Sequence, residues 1–468
     1  MSTHIRFLGA TQGVTGSRYV VEAAGRRLLI DCGLYQEREF LARNWDPFPV
    51  PPGSVAAVLL THAHLDHCGL LPKFVREGFH GPIHCTQATA DLTEIVLLDA
   101  AGLQEEDARH KSERHESEGR KGPHEEAPLY TTDEARAVSR FFSPVAYEQA
   151  LPLAPGLEAT FREAGHILGS ASIELRIGAG SDARTLVFSG DIGRPNRPIL
   201  RDPCVFTQAD YVVMESTYGD RVHDAPASVS DALAGAIDAT RRAGGNVLIP
   251  TFAIERAQEV LYEINRLRLA KRLPPLMVFV DSPMAVRATR VMMKHAELFD
   301  EDMTALLARR ESPFSFPGLQ MVETAEGSKT INNIRGTSII LAGSGMCTGG
   351  RIKHHLVQNI SRPESAVLFV GYQAAGTLGR LISGGAKDVR ILGQSYAVKA
   401  HVEMLHGFSG HADRAELTQW LSALRRPPRR VFVTHGEPEA AQSFAAHVGA
   451  ELHYATTVPR HGDEAVLD

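Results

Sequence analysis

The sequence predicts an α/β fold in which one α/β domain is interrupted by a second, whose sheet is parallel. Three observations carry this reading. The first part of the chain is filled with short apolar strands separated by glycine-containing turns. From about Asp231, helical runs alternate regularly with short buried strands, the pattern of a parallel sheet covered by helices. After about Gln394 the first texture returns. These changes set the boundaries: residues 1–215 open the first domain, 216–394 form the inserted domain, and 395–468 return to the first.

In chain order, "HIRFLGA", "RYVVEA" and "RRLLIDCG" read as apolar or alternating strands. "VAAVLLTHAH" is a buried strand that runs into a cluster of histidines, with a helix predicted from about Cys68 to Arg76. "PIHCT" is a short strand, and "ATADLTEIVLLDAAGLQEEDARH" has helical periodicity. Lys111 to Glu126, "KSERHESEGRKGPHEE", is charged and lacks apolar periodicity, so it reads as a solvated loop. Strands resume at "LEATFREAGH", "SASIELRIG", "RTLVFSGDIG" and "YVVMESTYG". "NVLIPTF", "RAQEVLYEINRLRLA", "LMVFVDSP", "TSIILAGSG" and "SAVLFVGY" make up the alternating insert. "RRVFVTHGEPEA", a helix to about Val448 and "AELHYATT" close the chain.

Length and composition set outer limits. A chain of 468 residues, 43% hydrophobic, has enough apolar material for two or three cored domains. No run approaches the roughly 20 apolar residues that span a bilayer, so no membrane partner is expected. The first residues lack a basic region followed by an apolar run, which argues against a secretory signal. Five widely spaced cysteines, with no C-x-x-C pair, fit neither a disulfide scaffold nor a zinc ribbon and favour a reducing cytoplasm. The net charge of -6 means that any nucleic-acid contact must be local, in a cleft whose positive charge comes partly from metal ions.

The densest signal is His62-Ala63-His64-Leu65-Asp66-His67. A His-x-His on an extended segment turns both rings to one side, and Asp66 and His67 come after a turn, where they face a second position. Imidazole and carboxylate donors suit zinc, with manganese or iron as alternatives. Other strand ends carry similar groups: His166 in "REAGHILGSAS", Asp191 in "LVFSGDIGR" and His435 in "VFVTHGEPEA". Each alone is more often a cap or turn residue. Together they supply ligands for two metals, and the two oxygens of Asp191 allow it to bridge.

These motifs resemble the metallo-β-lactamase fold in its nucleic-acid-processing branch. "VVMESTYGDRVH" with Glu215, "FSGHAD" with His411 and "VTHGE" with His435 resemble the additional motifs of the β-CASP subgroup. "PTFAIERAQE", "DSPMA" and "GSGMCTGGRIKHHL" resemble segments of the domain inserted in that subgroup. The resemblance implies an αββα sandwich interrupted by an α/β β-CASP domain. It implies one zinc on His62, His64 and His166, a second on Asp66, His67 and His435, and Asp191 bridging them. Asp31 in "LLIDCG" then supports a ligand from behind. Asp66, Glu215 and His411 form the catalytic set, with His411 as general acid and Glu215 as its orienter.

Glycines in "GSGMCTGGRIKHHL" suggest a phosphate contact, with Ser344, Arg351 and Lys353 as the groups to test and Arg256 as a fourth. The segment lacks the G-K-[ST] ending of a nucleotide-binding loop. Glu255 stands where the family often has glycine. Phe252, Phe408 and Tyr372 are candidates for base stacking, although such residues are more often core.

The implied substrate is single-stranded RNA, cut endonucleolytically in a groove under the insert. Histidine at 435 favours the RNA-processing members over the DNA-processing ones. A 5′-to-3′ exoribonuclease of the ribonuclease J type is the alternative, disfavoured because the chain ends at Asp468 without a further C-terminal domain. A small-molecule metallohydrolase has no need of so long an insert, and a scaffold without activity has no need of every ligand. The family also makes a homodimer plausible.

Overall fold

The computed structural model describes residues 3–118, 127–223, 227–374, 376–405 and 407–468. The chain divides into two compact units. One comprises Met1–Pro195, Asp202–Val222 and His411–Asp468; the other comprises Asn196–Arg201 and His223–Gly410.

The first unit is a sandwich of two seven-stranded sheets. One sheet has the order Glu464–Leu467, Thr3–Phe7, Tyr19–Ala23, Arg26–Ile30, Ala57–Leu59, Ile83–Cys85 and Phe142–Pro144. The other has the order Thr456–Thr457, Arg430–Val433, Tyr211–Met214, Arg184–Phe188, Ala171–Ile177, Leu157–Glu163 and Ala150–Ala154. Alternation along each strand sends one set of side chains inward. Ile5 and Phe7 from the first sheet meet Leu157, Phe161, Ile173 and Phe188 from the second in one core. On the outer face of the second sheet, the helices Arg414–Ser422 and Pro438–Glu451 bury Leu417, Leu421, Phe444 and Val448 against Val187, Val212 and Val431. Removing one such ring, as in Phe161→Ala, costs about 3–5 kcal/mol.

The helix predicted to begin at Cys68 is two short ones, Leu65–Cys68 and Leu71–Arg76, broken at Gly69. The expected loop at Lys111–Glu126 is corrected in its first half. The helix Gln87–Glu118 continues through it. Its glutamates, arginine and lysine are strong helix formers, and His110 pairs with Glu106 at 3.7 Å and Glu113 at 3.5 Å, so the helix persists without an apolar stripe. Residues 119–126 lie outside the described residues.

The second unit holds a six-stranded sheet in the order Leu319–Met321, Met277–Asp281, Ser338–Ala342, Val247–Pro250, Ala366–Phe369 and His401–Met404, all parallel, and a separate antiparallel pair, Asp388–Ile391 with Gln394–Ala397. The three central strands are buried throughout, as a sheet covered on both faces requires. The helix Ile352–Asn359 packs Ile352 and Leu356 on the face that carries Leu248, Ile340 and Val367.

Candidate metal centre

Six functional side chains lie just past strand ends at one edge of the first unit. The strands Arg184–Phe188, Tyr211–Met214 and Arg430–Val433 are mutually parallel, so Asp191, Glu215 and His435 emerge together. Leu157–Glu163 is antiparallel to Ala171–Ile177, which is antiparallel to Arg184–Phe188, so His166 emerges at the same edge. In the facing sheet Arg26–Ile30 and Ala57–Leu59 are parallel and deliver Asp31 and His62. His64 remains extended, with ψ 148°, and the single turn Leu65–Cys68 carries Asp66 and His67.

Among the described residues the donor atoms converge in three groups: two rich in imidazole, and a third of Asp191, Glu215 and His411. His64 Nδ1 lies 3.1 Å from His62 Nε2 and 3.1 Å from His166 Nε2. Asp191 Oδ2 is 3.4 Å from both His62 Nε2 and His166 Nε2. In the second group, His67 Nε2 and His435 Nε2 are 3.0 Å apart, and Asp66 Oδ2 is 3.5 Å from His435 Nε2. Asp191 Oδ1 is 3.2 Å from His67 Nε2 and 3.5 Å from His435 Nε2. One carboxylate thus turns one oxygen to each imidazole-rich group. Asp191 is 2% exposed, and its Oδ1 makes no hydrogen bond. A buried carboxylate oxygen that makes no hydrogen bond and faces two imidazole nitrogens fits a cation. The donor set, nitrogen and carboxylate oxygen only, suits a divalent transition metal.

The electrostatics differ between the two imidazole-rich groups. Burial, with help from His62, lowers the pKa of His64 to about 3, and burial also lowers His62 and His166. These rings are neutral, as metal ligands must be. Burial opposes charge on His67 too, but Asp191 and Asp31 overcome it and raise its pKa well above the ordinary range. His435 is raised in the same way, chiefly by Asp191. Burial disfavours charge on Asp191 as well, yet His435, His67 and His62 hold its carboxyl well below the usual range.

A shell of buried groups fixes the ligands. Asp31, in the left-handed region at φ 57°, accepts from His67 Nδ1 at 2.7 Å and from the Thr61 backbone N–H at 2.8 Å. The Thr61 hydroxyl is 3.1 Å from His62 Nδ1, and the Thr217 hydroxyl is 3.2 Å from His435 Nδ1. Sequence reasoning does not single out these two threonines. Thr61 directly precedes His62, but no pattern of residue types marks such a contact. Gly33 admits no side chain, because a Cβ there would meet the Asp66 carbonyl oxygen at 1.6 Å.

Beside the two imidazole-rich groups, His411 Nδ1 donates to Glu215 Oε2 at 3.1 Å and lies 3.9 Å from Asp191 Oδ2. Burial works against the imidazolium, but Glu215 outweighs it and raises the pKa of His411 to about 9. The ring remains 21% exposed, so solvent weakens this pairing.

The proposed phosphate contacts lie in the second unit. Ser344 Oγ accepts from the N–H groups of Thr348 and Gly349 and closes its own loop. Arg351 is engaged elsewhere: it donates to Asp281 at 2.6 Å and to the carbonyls of Val322 and Glu323. Arg256 is buried rather than on the surface, and it pairs with Glu259. Lys353 is partly exposed on the helix after the loop. Glu255 has φ 65°, in a γ-turn closed by the Arg256 N–H on the Ile254 carbonyl at 2.8 Å. That conformation favours glycine. Of the three stacking candidates, Phe408 is core at 2% exposed, whereas Phe252 and Tyr372 are exposed. Both lie just past the ends of buried strands, where the chain leaves the sheet.

A sandwich of this topology, with two His/Asp donor groups at its strand ends, defines a metal-dependent hydrolase. Residues 12–251 match the metallo-beta-lactamase superfamily, residues 257–382 the Beta-Casp domain, and residues 395–465 the Zn-dependent metallo-hydrolase RNA specificity domain. The chain belongs to the β-CASP family of metallo-β-lactamase-fold proteins. It is 41% identical over 431 residues to the ribonuclease TTHA0252 of Thermus thermophilus, covering 92% of each chain. It is 32% identical to the transcription termination factor FttA of Methanosarcina mazei, covering 96% of this chain and 69% of that one. A crystal structure of a protein of unknown function from Enterococcus faecalis V583 shares the fold over the full length of both chains, with a TM-score of 0.56 at 11% identity. Among the described residues no helix is long and apolar enough to cross a membrane.

Proposed function

We propose that the protein is an endoribonuclease that hydrolyses phosphodiester bonds of single-stranded RNA. Two zinc ions would be held by His62, His64 and His166 and by Asp66, His67 and His435, with Asp191 between them. The single observation that carries this reading is the placement of the two oxygens of Asp191, one toward each group of imidazoles. When bound there, such metals would supply a water of lowered pKa and would offset charge on the phosphoryl oxygens. Manganese or iron fits the same donors.

The chain's own residues supply the rest. Asp66, 18% exposed, takes up the proton released by the attacking water. His411 gives a proton to the leaving oxygen from Nε2, because Glu215 holds Nδ1. Asp31 and Thr61 keep the ligand rings in register. Ser344 and Lys353 remain the proposed phosphate contacts, and Arg351 and Arg256 reach a phosphate only by giving up part of their present pairing.

The match to an RNA specificity domain and the relatives named as a ribonuclease and as transcription termination factors support RNA over a small ester. Free thiols at all five cysteines support a cytoplasmic setting, and a homodimer is compatible with the family. The test is to offer the protein single-stranded RNA and a blunt duplex of the same sequence. Internal cuts in the single strand are expected. Equal cutting of the duplex would contradict the reading.

A further inference from the structure

The strand Val247–Pro250 lies between Ser338–Ala342 and Ala366–Phe369, parallel to both. From it the chain moves toward one edge, to Met277–Asp281 and Leu319–Met321. It then returns to Ser338–Ala342, crosses to Ala366–Phe369 and continues to the other edge. Direction therefore reverses around Val247–Pro250. In open parallel sheets, ligands bind outside the carboxyl ends of the strands at such a reversal.

The carboxyl ends of these three strands lead into Thr251-Phe252, Gly343-Ser344-Gly345 and Val370-Gly371-Tyr372. Phe252 is 39% exposed and Tyr372 46%. Single exposed apolar residues are ordinary. The Phe252 ring is held in place. A Cβ on Gly345 would fall 2.8 Å from the Phe252 ring, and one on Gly371 would fall 3.5 Å from it, so the ring rests on the backbone of both neighbouring loops. Gln373, 3% exposed, donates to the carbonyls of Gly345 at 3.0 Å and Gly371 at 3.1 Å and ties those loops together. The charge is also suited to a polyanion. In a chain of net charge -6, the segments Gly343–Leu356 and Val370–Lys387 contain Lys353, Arg380 and Lys387 and no carboxylate, besides Arg351, whose charge is taken up by Asp281.

We infer that Phe252 and Tyr372 form a stacking platform for unpaired nucleobases of the RNA strand. The inference rests on the single-stranded RNA reading above and extends it to how the strand is gripped. Stacking on a fixed ring needs no particular base, because every base has a flat π-face. It also excludes a rigid duplex, whose bases are already stacked. The cationic loops take the phosphates between the stacked bases.

The test is a cycle between one side chain and one base. Wild type and Phe252→Leu are titrated with a short fluorescent single-stranded RNA whose backbone resists cleavage. Single abasic nucleotides are then placed at successive positions. We expect Phe252→Leu to weaken binding about tenfold. At one position the abasic RNA should bind wild type and Phe252→Leu equally, because the partner of the ring is already gone. Phe252→Trp should bind as tightly as wild type. Tyr372→Leu runs through the same cycle and should pair with a different position, which keeps the test intact if Phe252→Leu does not fold. Abasic penalties that add to the side-chain penalties at every position would overturn the platform while leaving the nuclease reading in place. Failure of wild type to bind any RNA would overturn the nuclease reading itself.

Discussion

Glu215 and His411 lie 196 residues apart in the chain, yet His411 Nδ1 stands 3.1 Å from Glu215 Oε2. Glu215 ends the strand Tyr211–Met214, and His411 leads into the helix Arg414–Ser422. The two segments are stitched together: Tyr218 bridges to Asp413, and the Arg414 N–H donates to the Arg221 carbonyl at 3.0 Å. Glu215 Oε1 also accepts from the Ile192 N–H at 2.6 Å. Ile192 comes directly after Asp191, so one buried carboxylate joins His411 to the loop of Asp191.

Replacing His411 by alanine should leave metal content unchanged, because no donor of either imidazole-rich group is lost. Cleavage should fall by about 10²–10⁴, the usual worth of a general acid. Metal analysis and single-turnover rates check this together. Loss of metal in the variant would make His411 a structural residue.

Glu215→Gln should move the alkaline limb of the pH–rate profile to lower pH. The carboxylate raises the His411 pKa, so removing its charge lowers that pKa. A general acid acts only while protonated, and its activity then fades at a lower pH than in wild type. A profile that keeps its alkaline limb would separate Glu215 from the acid.

Asp191→Ala should disturb both metals, not one, because each oxygen faces its own group. Metal content per chain is the measurement. Retention of one full equivalent at unchanged affinity would show that Asp191 serves a single group.

Asp31→Ala should weaken metal binding by about 10–100-fold without removing a ligand, because His67 loses the acceptor that orients its ring. Competition with a chelator reads this directly. Unchanged affinity would leave Asp31 as a turn residue only.

The candidate donors are legible in the sequence for a physical reason. Each comes at or shortly after the end of a strand, and His62 to His67 concentrates four donors in six residues. Asp31 is legible in the same way. The pairing of Glu215 with His411 is not, since spacing says nothing about which distant loops meet; only the resemblance suggests it. Lys111–Glu118 reads as a loop because surface charge alone does not distinguish a loop from a solvated helix. Arg351 reads as a phosphate ligand because a cation after glycines is ambiguous, and its partner Asp281 lies 70 residues earlier. Phe252, Phe408 and Tyr372 cannot be told apart as stacking candidates, because composition does not reveal where a strand ends; only Phe408 is buried.

The most direct test of the central claim uses closed circles of single-stranded RNA and single-stranded DNA of one sequence, each with and without a chelator. The account predicts linear products from the RNA circle alone, abolished by the chelator. An intact RNA circle beside degradation of a linear RNA control would contradict internal cutting and point to an exonuclease.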